Sequence, residues 1–104
     1  MPVIHHERIA SDGALAFVRA AASPQYAQFA GSILAGLGSE LYGAFADTRF
    51  RLLTALVETG DDRSASDVEA NKWRARLEDL LRHQPELVPA VLELTIEGRE
   101  LQSH

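Results

Sequence analysis

At 104 residues the chain has room for one domain, and its 46% hydrophobic, 24% charged composition suits a folded globule rather than a disordered tail. Fifteen acidic against ten basic residues give a net charge of −5, the wrong balance for displacing counterions from phosphates, so nucleic acid is not an expected partner. The absence of cysteine removes disulfides, thiolate nucleophiles and Cys-ligated metals, and points to a reducing, cytoplasmic setting.

The opening Met-Pro-Val-Ile-His-His-Glu-Arg lacks a basic leader followed by an apolar run, so secretion is not expected. Residues 1–10 sustain neither helical nor alternating spacing and are predicted to form an irregular arm pinned at Ile4 and Ile9. Ser11 or Asp12 can cap a first short helix that carries Leu15, Phe17 and Val18 and ends near Ala22. Ser23-Pro24 resets the chain, with Pro24 suited to the first position of the next helix.

From Pro24 to Glu58 apolar residues recur at spacings of three and four. Gly36 and Gly38 each cost about 1 kcal/mol inside a helix, and Ser39 is a good cap, which predicts a break near Gly38 and helices over Pro24–Leu37 and Glu40–Glu58. Gly60 is placed to close the second of these, and residues 61–65 read as a loop. Ser66-Asp67-Val68-Glu69 matches a capping box, in which Glu69 reaches back to the helix start. The helix it opens carries Ala70, Trp73, Leu77, Leu80 and Leu81 on one face and stops near His83, ahead of Pro85. A last helix begins between Pro85 and Pro89 and carries Val88, Val91, Leu92, Thr95 and Leu101, with Gly98 fraying its end. No strand, hairpin turn or long repeat is apparent. The expected fold is all-α: a single-domain bundle of four to five helices over residues 11–104, preceded by the irregular arm.

Ala27, Gly31 and Ala35 are spaced by four, Gly36 adjoins them, and no charge occurs between Ala27 and Ser39. Small residues at this spacing let helix backbones approach closely. The segment therefore reads as the buried centre of the bundle, as a self-association surface, or as a site of membrane contact, but it is too short to span a bilayer. Trp73, with Arg74 and Arg76 beside it, has the composition of an interaction hot spot, although its place in the Leu77–Leu80 stripe also suits the core. Arg49 and Arg51 flank Phe50, a basic-aromatic cluster too small for a nucleic-acid groove.

His5 and His6 are adjacent, point in different directions and read as solvated tail residues, since such a pair rarely binds one ion alone, and His83 suits the C-terminal end of its helix. Glu93 and Glu97 share a helix face, with Glu86 and Glu100 nearby, but they read as a solvated stripe rather than an acid–base pair. Phosphate loops, nucleophile elbows and dinucleotide fingerprints are missing, so no catalytic residue, cofactor or metal is assigned.

Phe29-Ala30-Gly31-Ser32-Ile33-Leu34-Ala35-Gly36, the helix and loop from Leu52 to Asp62, the Trp73–Leu81 helix and the Pro85-Glu86-Leu87 turn together resemble short uncharacterised helical proteins of high-GC actinobacteria. Pro89 departs from their usual pattern. The resemblance implies a bacterial helical accessory or assembly protein and transfers no catalytic residues. The combined expectation is a non-enzymatic module that binds itself or another protein, as a homo-oligomer, through Ala27, Gly31, Ala35, Gly36 and Trp73. A membrane-surface protein and a small ligand-binding bundle are the alternatives.

Overall fold

The computed structural model describes residues 6–60 and 63–101, and among these it contains five α-helices, one 3-10 turn and no strand. The fold is an all-α bundle. Helix α1 runs over His6–Ala22, with Glu7 in its first turn and Arg19 in its last, both favourably placed in the helix dipole. Residues 6–10 are therefore helical rather than part of an irregular arm. Ala10 is fully buried and Ile9 packs against the core, so tertiary burial extends the helix past the cap that Ser11 or Asp12 would supply. Val3, Ile4, His5 and His104 lie outside the described residues.

Ser23 and Pro24 form the turn into α2 (Tyr26–Leu37), where the Ser23 hydroxyl accepts the Gln25 N–H at 3.0 Å. Pro24 thus sits in the turn, two residues ahead of the helix. Gly38 breaks the chain as expected: its φ of 102° is accessible to glycine at little cost, and α3 (Ser39–Thr59) follows at once. Gly60, with φ of 72°, closes α3 in the left-handed conformation, its N–H donating to the Leu56 carbonyl. Helix α4 (Arg63–His83) starts earlier than the capping-box pattern predicts, which puts Arg63–Ala65 in the helix and Ser66 in its interior. His83 ends α4 with Nδ1 2.9 Å from the Asp79 carbonyl oxygen. Pro85–Leu87 form the 3-10 turn, and α5 (Val88–Leu101) carries Pro89 in its first turn, where no intrahelical N–H is required.

The hub of the bundle is α1, which packs against every other helix. Its buried face is built from Ala10, Gly13, Ala14, Ala16, Ala20 and Ala21 around Phe17 and Val18, so neighbours approach closely. Gly98 of α5 meets α1 at the tightest point. A Cβ there would lie 3.0 Å from the Ala16 Cβ and 3.2 Å from its carbonyl oxygen. Gly98 is a packing requirement of the α1–α5 contact, not a fraying point.

Inside, Phe17, Phe29, Phe45 and Trp73 come one each from α1 to α4. Edge-to-face contacts join Phe17 to Phe29 at 5.2 Å and Phe17 to Trp73 at 5.0 Å between centroids. Such pairs add about 0.5–1.5 kcal/mol beyond the area they bury. Arg49 ties α3 to the α1–α2 corner: its Nη1 donates to the Ala21 and Ser23 carbonyls at 2.8 and 3.0 Å, and its guanidinium lies over the Tyr26 ring. It thereby caps the Ala21 carbonyl near the end of α1 and shares the Ser23 carbonyl with the Tyr26 N–H.

Candidate functional site

Helix α3 has two apolar faces. Leu41, Phe45, Thr48 and Leu52 point into the core. Tyr42, Ala46, Phe50, Leu53 and Val57 fall on a different stripe, within an arc of roughly 80° at the helical repeat. The bundle leaves that stripe open to differing degrees: Phe50 is 70% exposed and Val57 85%, while Tyr42 at 42% and Leu53 at 40% are partly covered. Leu56, also exposed, borders it on the core side, and Glu40, Asp47, Arg51 and Glu58 form its charged edge. The periodicity of α3 announces its apolar content, but a single buried face cannot accommodate it all. The arc spanned by Leu41, Tyr42, Phe45, Phe50, Leu52, Leu53 and Val57 was the available signal for a second surface.

The small-residue stretch of α2 is divided. Phe29, Ala30 and Ile33 are buried, whereas Ala27, Gly31, Ala35 and Gly36 are exposed. A Cβ at Gly31 would meet nothing within 4 Å, and one at Gly36 only the Ala90 Cβ at 3.8 Å. The stripe is therefore not the buried centre of the bundle, a place taken by the alanines of α1. Leu34 adds a larger apolar group to the same open side.

Trp73 is not available to a partner, which corrects its assignment as a contact residue. It is fully buried, and its Nε1–H donates to Thr48 Oγ1 at 2.8 Å. Arg76 lies over its ring, at 4.7 Å from the centroid. Thr48 in turn donates to Glu69 Oε1 at 2.8 Å. Arg51 Nη1 reaches the same oxygen at 3.2 Å, and Lys72 Nζ lies 3.3 Å from Oε2. Burial pushes the Glu69 carboxyl up, but hydrogen bonds from Thr48, Arg51 and Lys72, with the Lys72 charge, outweigh it and hold the group below its ordinary value. Glu69 thus reaches across to α3 instead of back to the start of its own helix. The network is satisfied at every polar atom named and clamps α3 to α4.

Glu97 accepts a hydrogen bond from Ser32 Oγ at 3.0 Å, and its Oε2 is buried without a hydrogen-bond partner among the described residues. It borders a cleft of about 310 Å³ between α2 and α5, together with Glu93, Ala35 and Gly36. A wider, open cleft of about 670 Å³ lies where the end of α1 meets the start of α4, lined by Leu15, Val18, Arg19, Gln25 and Asp67 among others. Among the described residues no group of three or more His, Cys, Asp or Glu side chains is placed to hold a metal ion. None of the described helices is long and apolar enough to cross a membrane. No protein-family model, curated protein or solved structure matches the chain.

Proposed function

We propose that the protein is a non-enzymatic helical interaction module whose docking surface is the outer stripe of α3. The carrying observation is the line of Tyr42, Phe50, Leu53 and Val57, with Phe50 and Val57 largely in water, on a helix whose other apolar face is packed in the core. Scattered exposed apolar residues are ordinary, but a continuous stripe flanked by charges marks a binding surface. Fully burying an exposed Phe or Val is worth about 1.5–3 kcal/mol, so covering Phe50 and Val57 supplies most of the driving force that the stripe offers. The open side of α2, with Ala27, Gly31 and Ala35, offers a flatter and weaker surface. Its small side chains present little apolar area, and α3 is therefore the better anchor.

A bilayer surface is a poorer fit to the same stripe. Amphipathic helices that lie on membranes carry Lys and Arg on their polar face, whereas the edge of α3 carries Glu40, Asp47 and Glu58, with its one Arg51 engaged by Glu69. A photo-crosslinking amino acid placed at Phe50 or Val57 in cells tests the proposal. Protein adducts are expected from both positions and none from the same probe at Arg82, which is exposed on α4. Failure of both stripe positions to give adducts would overturn the interaction role.

A further inference from the structure

Charge along the outer side of α3 narrows what can cover its apolar stripe. Glu40, Asp47 and Glu58 are all exposed and fall within about 20° of one another at the helical repeat, beside the Phe50 edge of the stripe. None of the three is paired with a cation among the described residues. Both cations of the helix are engaged within the bundle, Arg49 by the Ala21 and Ser23 carbonyls and the Tyr26 ring, and Arg51 by the Glu69 carboxylate. The end of the helix adds to the imbalance. Its last turn carries no basic residue, Glu58 stands there beside the partial negative charge of the last carbonyls, and Asp61 and Asp62 follow in the sequence. Gly43 and Thr54, both small, fill the interval between the stripe and this acidic rail, and a Cβ at Gly43 would meet nothing within 4 Å.

We infer that the occupant is a cationic amphipathic helix of another protein, its apolar face along Tyr42–Val57 and its Lys or Arg side chains over Glu40, Asp47 and Glu58. This assignment rests on the interaction role proposed above and specifies the chemistry of the partner. A second helix is what a convex helical ridge accepts, since α3 offers no strand edge to extend. The stripe from Tyr42 to Val57 is about 22 Å long, four turns of such a partner. The aliphatic stems of Lys and Arg cross the low ground at Gly43 and Thr54 and set their charges on the rail. Covering Phe50 and Val57 supplies affinity, while the carboxylates select the partner and speed its encounter. The same rail disfavours other occupants. A second copy laid antiparallel would set Glu40 against Glu58, and one laid parallel would set the rail against the Arg49 side, whose cation is already engaged. Anionic lipid and nucleic acid would meet it with like charge.

The test uses the full chain and two labelled helical peptides of about 16 residues, each with leucine along one face, one carrying lysine and the other glutamate elsewhere. In fluorescence anisotropy at physiological salt the leucine–lysine peptide is expected to bind at least about tenfold more tightly than the leucine–glutamate peptide. Asp47→Lys combined with Glu58→Lys is expected to reverse that preference, and Phe50→Glu to weaken the leucine–lysine peptide by about tenfold or more. Glu86→Lys combined with Glu93→Lys changes the net charge equally, at exposed positions away from α3, and is expected to alter binding by less than about threefold. All these positions lie outside the core, and circular dichroism checks that each variant keeps its helices. Equal loss in the Glu86 and Glu93 variant would show that net charge rather than the rail attracts the peptide, and would overturn the inference. Equal binding of both peptides would overturn the cationic partner and leave the stripe as an apolar docking site. A chain that doubles its 11.4 kDa mass in light scattering, and returns to monomer with Phe50→Glu, would put a second copy on the stripe instead. Absence of binding by either peptide would overturn the cationic helix: with protein adducts at Phe50 or Val57 in cells the interaction role would stand, and without them it would fall as well. Binding of phosphatidylcholine vesicles through Phe50, with no adduct, would put a lipid surface there and overturn both.

Discussion

Thr48 is the residue on which the polar interior turns, because its single hydroxyl both accepts from the Trp73 indole and donates to Glu69. Thr48→Val keeps the shape and removes both bonds, leaving a buried N–H without a partner. The expected cost is about 2 kcal/mol, read as a lower urea midpoint with unchanged slope. Trp73 is the only tryptophan and is fully buried, so its fluorescence follows the transition directly. Glu69 makes stability depend on acid. Its pKa in the folded state is held below its ordinary value, so the stabilisation is present above the unfolded pKa and is lost as pH falls through the folded one. Glu69→Gln is expected to lower the thermal midpoint at neutral pH and to flatten its decline through the acidic range. An equally steep acid decline in the variant would show that other carboxylates govern it. The sequence displayed Glu69 in a local pattern, Ser66-x-x-Glu69, that a capping box satisfies. What it could not display is that α4 starts earlier, or that a threonine 21 positions away would claim the carboxylate.

Among the elements, α3, α4 and the stops at Gly38, Gly60 and His83 were legible because apolar spacing and glycine chemistry act locally. Helix α1 was much less so. Its buried face is mostly alanine, which carries little hydrophobic signal, and of Leu15, Phe17 and Val18 only the last two are buried, Leu15 being 47% exposed. Close packing by small residues was anticipated, but in α2, and it occurs where α1 meets α5. Two glycine substitutions separate these helices. Gly98→Ala gains helix propensity yet must displace Ala16 backbone, and is expected to destabilise by about 1 kcal/mol or more. Gly31→Ala enters open space on α2 and is expected to stabilise by up to about 1 kcal/mol. Thermal or urea midpoints of the pair check both signs, and a stabilising Gly98→Ala would mean that α5 is free to move away from α1.

For the whole molecule, the all-α architecture follows from pattern alone, whereas the candidate surface did not. The sequence marks apolar residues on α3 without saying which of them neighbouring helices cover, since that depends on how α1, α2 and α4 divide the circumference of α3 between them. The small-residue surface of α2 was visible as composition, and its exposure emerged only once α1 was seen to occupy the centre. The bundle measures 48 × 27 × 23 Å. A partner helix lying along α3 recognises only the folded chain, so the thermal midpoint is expected to rise with the concentration of the leucine–lysine peptide. Phe50→Glu is expected to abolish that dependence, and a midpoint indifferent to the peptide in the unmodified chain would count against docking there.

The central position of α1 has a consequence for how the polypeptide matures. Its alanine face is sheathed mainly by α4 and α5, which are encoded tens of residues downstream, so a nascent chain halted after α3 would hold most of its hub unclad. Contacts of such long sequence separation slow folding relative to bundles whose neighbours are adjacent. Fragments ending before Val88 should accordingly be prey for proteases, and maturation should await synthesis of α5.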